Sequence, residues 1–190
     1  MPAALDVPTL RTERLLLRPL EPSDASRIRE LAGAREIAAN TLTIPHPYEE
    51  GMAEAWIAEA AAAARRGEKL VLAVTTDADG LVGTAGLDLQ PEHRRAELGY
   101  WIGIPYWGRG FATEAARAVV DHGFGPLGLH RIHARVFPRN PASGRVLEKL
   151  GMQHEGRLRG HILKWDEFED VESYGILSTE WGSGPGGSEE

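Results

Sequence analysis

The sequence predicts an α+β fold, a mostly antiparallel sheet with one β-α-β unit, and three observations carry that expectation. Leu70 to Thr75 and Leu81 to Leu89 are apolar runs joined by the turn Asp77-Ala-Asp-Gly80, the pattern of a hairpin. Ala96 to Ala116, AELGYWIGIPYWGRGFATEAA, reads as a strand, a glycine-punctuated turn and a helix. Leu129 to Phe137 then alternates, with Ile132, Ala134 and Val136 on one face and Arg131, His133 and Arg135 on the other.

The other elements follow in chain order. Arg14 to Leu20 is apolar and β-compatible, closed by Pro19 and Pro22. Ser23 is positioned as the N-cap of a helix through about Ala32, with Ala25, Ile28 and Leu31 inward. Thr43 to Tyr48 is a proline-stiffened loop. A second helix is expected from about Glu49 to Arg66, with Met52, Trp56, Ala60 and Ala63 as its buried stripe and Gly67 ending it. Arg94 to Ile104 is a strand stopped by Pro105. The helix after the glycine turn repeats Ala112, Ala115, Ala116, Val119 and Val120 at amphipathic spacing and stops near Gly123. Asn140 and Pro141 open a helix that runs to Leu150, with Gly151 just past its end. Met152 to about Thr179 reads as two strands joined at Asp166-Glu167.

Composition narrows the function. The 190 residues suit one domain, expected over residues 9–179, and 42% hydrophobic content is enough for a core. The net charge of −7 argues against a nucleic-acid partner and suits an amine. The absence of cysteine rules out disulfides, cysteine-ligated zinc and a cysteinyl acyl intermediate. No apolar run approaches the ~20 residues of a membrane span, and the first residues have no signal-peptide pattern, so the expected location is cytoplasmic. The end, residues 180–190, is expected to be a flexible acidic tail.

The glycine turn supports three readings. Gly108-Arg109-Gly110-Phe111-Ala112-Thr113 has the first two glycines of a dinucleotide fingerprint, but Thr113 replaces the third. No Gly-Lys-Ser/Thr follows, which argues against a nucleotide-triphosphate loop. The plain alternative is an ordinary strand-to-helix connection. A helix start offers unpaired N–H groups and a favourable dipole, so the turn is suited to holding a phosphate or pyrophosphate.

The residues resemble a family at this point. Trp107-Gly108-Arg109-Gly110-Phe111-Ala112 is similar to the acyl-CoA pyrophosphate loop of the GNAT family of N-acetyltransferases. Asn140-Pro-Ala-Ser143-Gly-Arg-Val-Leu-Glu-Lys149-Leu-Gly151-Met152 resembles that family's later helix motif. Leu10 to Leu15, Ile44 to Tyr48 and Glu97 to Ile102 resemble its ribosomal-protein-alanine acetyltransferase, or RimJ/RimL-like, branch. The resemblance covers roughly residues 9 to 178 and implies an α/β/α sandwich with about seven strands and four helices.

It also implies a reaction. An amine attacks the thioester of acetyl-CoA directly, with no metal and no covalent enzyme intermediate. The acceptor is a protein N-terminus or a small amine, and the protein is a monomer or a homodimer. A different acyl-CoA such as succinyl-CoA, or a non-catalytic acyl-CoA-binding module, remains the alternative. Glu97 is the candidate general base, against the plain reading of a surface carboxylate paired with Arg94 or Arg95. Ser143 is the candidate proton donor to the leaving thiolate, against a helix-start hydroxyl bonding local N–H groups. The backbone N–H around Ile102 or Gly103 is the implied oxyanion donor. Ile104, Trp107, Gly108, Arg109, Gly110, Phe111, Ala112 and Thr113 are expected to hold the cofactor, with Asn140, Ser143 and Arg145 from the later helix. Two departures stand out. Trp107 occupies a position where the family has Gln or Arg, so backbone amides are expected to hold the phosphates. Leu147 occupies the position of the family's tyrosine donor and cannot donate. His46 and the tryptophans Trp101, Trp107 and Trp165 are candidates for the acceptor cleft, while His130 and His133 read as ordinary strand residues.

Overall fold

A computed structural model describes residues 4–182 of the chain. The strands are β1 (Leu10–Arg11), β2 (Leu16–Pro19), β3 (Lys69–Thr76), β4 (Gly80–Gln90), β5 (Arg95–Ile102), β6 (Arg131–Val136), β7 (Gln153–Lys164) and β8 (Glu167–Leu177). The helices are α1 (Ala25–Ala32), α2 (Arg35–Asn40), α3 (Met52–Arg65), α4 (Phe111–Phe124) and α5 (Pro141–Lys149). One sheet holds all eight strands in the order β1-β2-β3-β4-β5-β6-β8-β7. Every neighbouring pair is antiparallel except β5 and β6, which are joined through α4. This is the expected α+β sandwich with one β-α-β unit. It has eight strands and five helices among the described residues, because β1 is a two-residue strand and α2 a six-residue helix that the sequence pattern did not resolve.

Helices cover both faces of the sheet. A Cβ at Gly103 would meet Leu31 of α1, whereas a Cβ at Gly123 of α4 would meet Ile132 and Leu87. Ile132, Ala134 and Val136 point into the core as their alternation requires. The α4 stripe is also as expected, with Ala115, Ala116, Val119 and Val120 fully buried and Ala112 at its margin.

Three local expectations are corrected. The first helix starts after a 3₁₀ turn, Pro22–Asp24, and its entry is organised by Asp24, not Ser23. Asp24 accepts from the Glu21 backbone at 2.8 Å and from both Arg18 terminal nitrogens. The buried stripe of α3 is Ala53, Ile57, Ala60, Ala63 and Ala64, so Met52 and Trp56 sit beside it and stay partly exposed. The expected tail begins too early. Glu180 accepts from the Leu177 N–H and from Gln153, and the Trp181 indole donates to Asp121 at 2.7 Å. Residues 183–190 of the expected tail lie outside the described residues. No helix among the described residues is long and apolar enough to cross a membrane.

Candidate active site

The site arises from an interrupted strand pairing. β5 and β6 pair at only three positions, Arg95 with Arg131, Ala96 with Ile132 and Glu97 with His133. β5 continues to Ile102 and β6 to Val136, so the strands part beyond Glu97. The gap leads into a cleft of about 480 Å³ lined by Gly99, Tyr100, Trp101, Ala134, Val136 and Ser143, together with Glu97, Arg135, the segment from Thr41 to Pro45, and Tyr48.

Strand alternation puts different chemistry on the two faces of the gap. Lys69, Asp88, Glu97 and His133 stand in register across β3, β4, β5 and β6, so they share one face. Lys69 pairs with Asp88 at 2.7 Å. Glu97 is gripped by Arg135, whose Nε and Nη2 donate to its two oxygens at 2.8 and 2.7 Å. The partner expected for Glu97 in the plain reading was Arg94 or Arg95; the partner found is Arg135. Burial, then the nearby arginines, outweigh the 4.0 Å approach of Glu97 and push the His133 ring below its ordinary pKa. Tyr100 lies on the opposite face, where its hydroxyl is 2.8 Å from Ser143 Oγ.

The glycine turn forms a second component. Gly108 and Gly110 adopt left-handed conformations, at φ 75° and 82°. Glu114 is the first residue to close a helical bond, to the Gly110 carbonyl, so the N–H groups of Phe111, Ala112 and Thr113 project from the start of α4 without helical partners. The Thr12 hydroxyl and the Arg14 Nε tie Glu114 to the loop before β2, at 2.6 and 2.8 Å. Burial opposes the Glu114 charge, but these bonds prevail and hold its pKa below the carboxylate range. Arg14 also donates to the Arg109 carbonyl at 2.9 Å, and the Arg109 side chain is exposed across the Tyr106 and Phe111 rings.

Several expected binders are engaged elsewhere. The Trp107 indole donates to the Ile102 carbonyl at 2.6 Å and its backbone N–H to Ile104 at 3.1 Å, so Trp107 folds the turn and offers no free N–H to a phosphate. The Gly103 N–H donates to Val82 at 2.8 Å and is not available to an oxyanion. Because an antiparallel ladder alternates, the register of Gly83 with Ile102 turns the N–H groups of Leu98, Tyr100 and Ile102 away from β4 and toward the gap. Ile104 begins a 3₁₀ turn and keeps its side chain at the surface. Arg145 is exposed on α5 and does not line the cleft. Asn140 caps α5 by accepting from the Ser143 N–H at 3.1 Å and also donates to the Asn40 carbonyl at 3.4 Å. Among the described residues no group of histidine and acidic side chains could hold a metal.

The family model for an acetyltransferase (GNAT) domain matches residues 14–153. The chain is a GNAT acetyltransferase. It is 33% identical over 175 residues to the uncharacterized N-acetyltransferase p20 of Bacillus licheniformis, covering 91% of this chain and 98% of that protein. It is 29% identical to the L-amino acid N-acetyltransferase AaaT of Escherichia coli, over 83% of this chain and 94% of that one. The structure of Mycobacterium smegmatis RimJ in complex with CoA-disulfide is similar at a TM-score of 0.81 and 27% identity, covering 92% of this chain and 88% of that one.

One wall of the cleft in this GNAT acetyltransferase is held by its backbone carbonyls. The carbonyls of Ala39, Asn40, Thr41 and Ile44 are all taken by side chains from across the molecule. Arg139 donates to Ala39 at 2.6 and 3.2 Å, Asn140 to Asn40, and Lys164 to Thr41 and Ile44, both at 3.0 Å. Lys164 is only 6% exposed and lies over the Trp165 ring. Burial, with Arg139 nearby, lowers its pKa below the usual lysine value. Lys164→Met keeps the length of the side chain and removes the charge, so relief of the buried charge offsets part of the cost of leaving two carbonyls without a donor. The two carbonyl bonds are lost outright. Proteolytic cleavage within residues 41–48 is expected to speed up by about tenfold or more, with the melting temperature lower by only a few degrees. Unchanged cleavage there would mean that Lys164 does not hold the loop. Tyr100, Arg135, Asp88 and Lys164 carry no local motif that marks them as site residues, because each acquires its place only through register or a long-range contact.

Proposed function

We propose that this protein transfers an acetyl group from acetyl-CoA directly to a primary amine, a protein N-terminus or a small amine. The observation that carries the reading is the parting of β5 and β6 beyond Glu97, with a carboxylate on one face of the gap and a helix-borne serine on the other. A thioester lying in the gap meets both. The free amides from Phe111 to Thr113, at the positive end of α4, suit the CoA pyrophosphate. The amide of Ile102 is the candidate to stabilise the tetrahedral oxyanion. Glu97 takes the proton of the attacking amine, directly or through a water, and Ser143 gives one to the departing thiolate. Bringing the reactants together supplies much of the rate.

The test is thioester consumption and product mass with acetyl-CoA against amino acids, polyamines and peptides carrying free or blocked N-termini. Acetylation of at least one free amine, and none of its blocked counterpart, supports the reading. CoA binding without turnover on any amine would make the protein an acyl-CoA-binding module. Succinyl-CoA run alongside decides the acyl group.

A further inference from the structure

We propose that Tyr100 is a positioning residue that aims the Ser143 hydroxyl at the leaving sulfur; this rests on the transfer reaction proposed above. Two hydroxyls 2.8 Å apart share one hydrogen bond, and either can donate. If Ser143 donated to Tyr100, its single proton would point at the phenol and away from the gap. If Tyr100 donates, Ser143 is left with its own proton free and an oxygen already accepting a bond. The phenol has a second acceptor in the Ser143 carbonyl, but at 3.3 Å against 2.8 Å for the hydroxyl, so the shorter contact takes the Tyr100 proton. Burial raises the phenol pKa well above its ordinary value, so Tyr100 keeps its proton throughout the working pH range. Ser143 is fixed by its backbone, since Asn140 caps its N–H, and its side chain reaches the cleft at the mouth of α5. The family's tyrosine position one turn further along α5 is filled by Leu147, which is fully buried and has no proton to give.

The chemistry balances. As the carbon–sulfur bond breaks, the sulfur keeps the electron pair and takes the Ser143 proton. Negative charge grows on the serine oxygen while it accepts from Tyr100, which stabilises it without surrendering the phenolic proton. Ser143 is then reprotonated from solvent, to which Glu97 releases the proton it took from the amine.

The test is a double-mutant cycle on the full chain, with acetyl-CoA and the amine of the panel that turns over fastest. Tyr100→Phe is expected to lower kcat about tenfold, the size of one hydrogen bond to a charged group, with KM for acetyl-CoA within about twofold. Ser143→Ala is expected to cost about a hundredfold in kcat. In the Ser143→Ala background, Tyr100→Phe is expected to cost nothing more. Tyr100→Met, a second variant without a donor, should repeat the pattern, and the melting temperature of each variant separates loss of fold from loss of chemistry. Full additivity of Tyr100→Phe with Ser143→Ala, or an unchanged kcat for Tyr100→Phe, overturns the role of Tyr100 alone. An unchanged kcat for Ser143→Ala overturns the donor assignment on which it rests.

Discussion

Replacing Glu97 by glutamine is expected to lower kcat for acetyl transfer by about a hundredfold or more, while the Kd for CoA stays within about twofold. The carboxylate lies where β5 and β6 separate, on the face opposite Tyr100, and far along the strand from the amides at the start of α4. Its loss therefore touches the amine and not the phosphates. Glutamine keeps one oxygen for Arg135 but cannot accept a proton. The Arg135 fork would lose one of its two charge-assisted bonds, a stability cost of about 1.5–3 kcal/mol. The two effects separate by measurement. If kcat survives while the melting temperature falls, Glu97 serves to hold Arg135 and another group takes the proton. Asp88, directly opposite on β4 and lining the same cleft, would then be the next candidate.

A second large effect is expected in the sheet itself. A Cβ at Gly86 would stand 2.2 Å from the Leu70 carbonyl oxygen and 3.1 Å from Val71 Cα, both backbone atoms of the neighbouring strand. Neither can rotate away. Gly86→Ala is expected to destabilise the fold by about 3 kcal/mol or more, which for a chain of this size is a fall of roughly 6–12 °C in melting temperature. Gly99 is the control. It pairs with Gly86 across β4 and β5, yet nothing lies within 4 Å of its added Cβ, because it borders the open gap. Gly99→Ala should melt within a few degrees of the parent. Equal melting temperatures for the two variants would mean that β3 and β4 tolerate the clash by shifting.

Much of this architecture was legible in the sequence, for identifiable reasons. α4, β6 and α5 carry strong local signals, namely a glycine turn, strict alternation and an Asn-Pro cap, and all three formed as expected. α3 was harder. Its sequence, MAEAWIAEAAAAAR, offers alanine on every side, so the large residues Met52 and Trp56 suggested the wrong stripe. α2 is six residues long and starts after Ala34, which offers no capping side chain, so there is no pattern to read. In the site, Glu97 and Ser143 could be singled out because each belongs to a local motif. Their partners could not. Arg135 lies 38 residues from Glu97, and Tyr100 lies 43 residues from Ser143. Such pairs exist only once the parallel register of β5 and β6 and the placement of α5 are set. The amide bookkeeping was equally hidden, since nothing in the residue types says that Gly103 donates to Val82 while Ile102 faces the gap.

The grip on residues 39–44 has one more implication. Arg139, Asn140 and Lys164 hold this segment by its carbonyl oxygens, and every amino acid has a carbonyl oxygen. The anchors are therefore indifferent to which side chains the segment carries. Leu42, Thr43 and Ile44 line the cleft, and exchanging them is expected to leave the backbone that carries them in place. On the acetyl transfer proposed above, the segment would serve as an interchangeable cassette, where acceptor preference changes without rebuilding the frame.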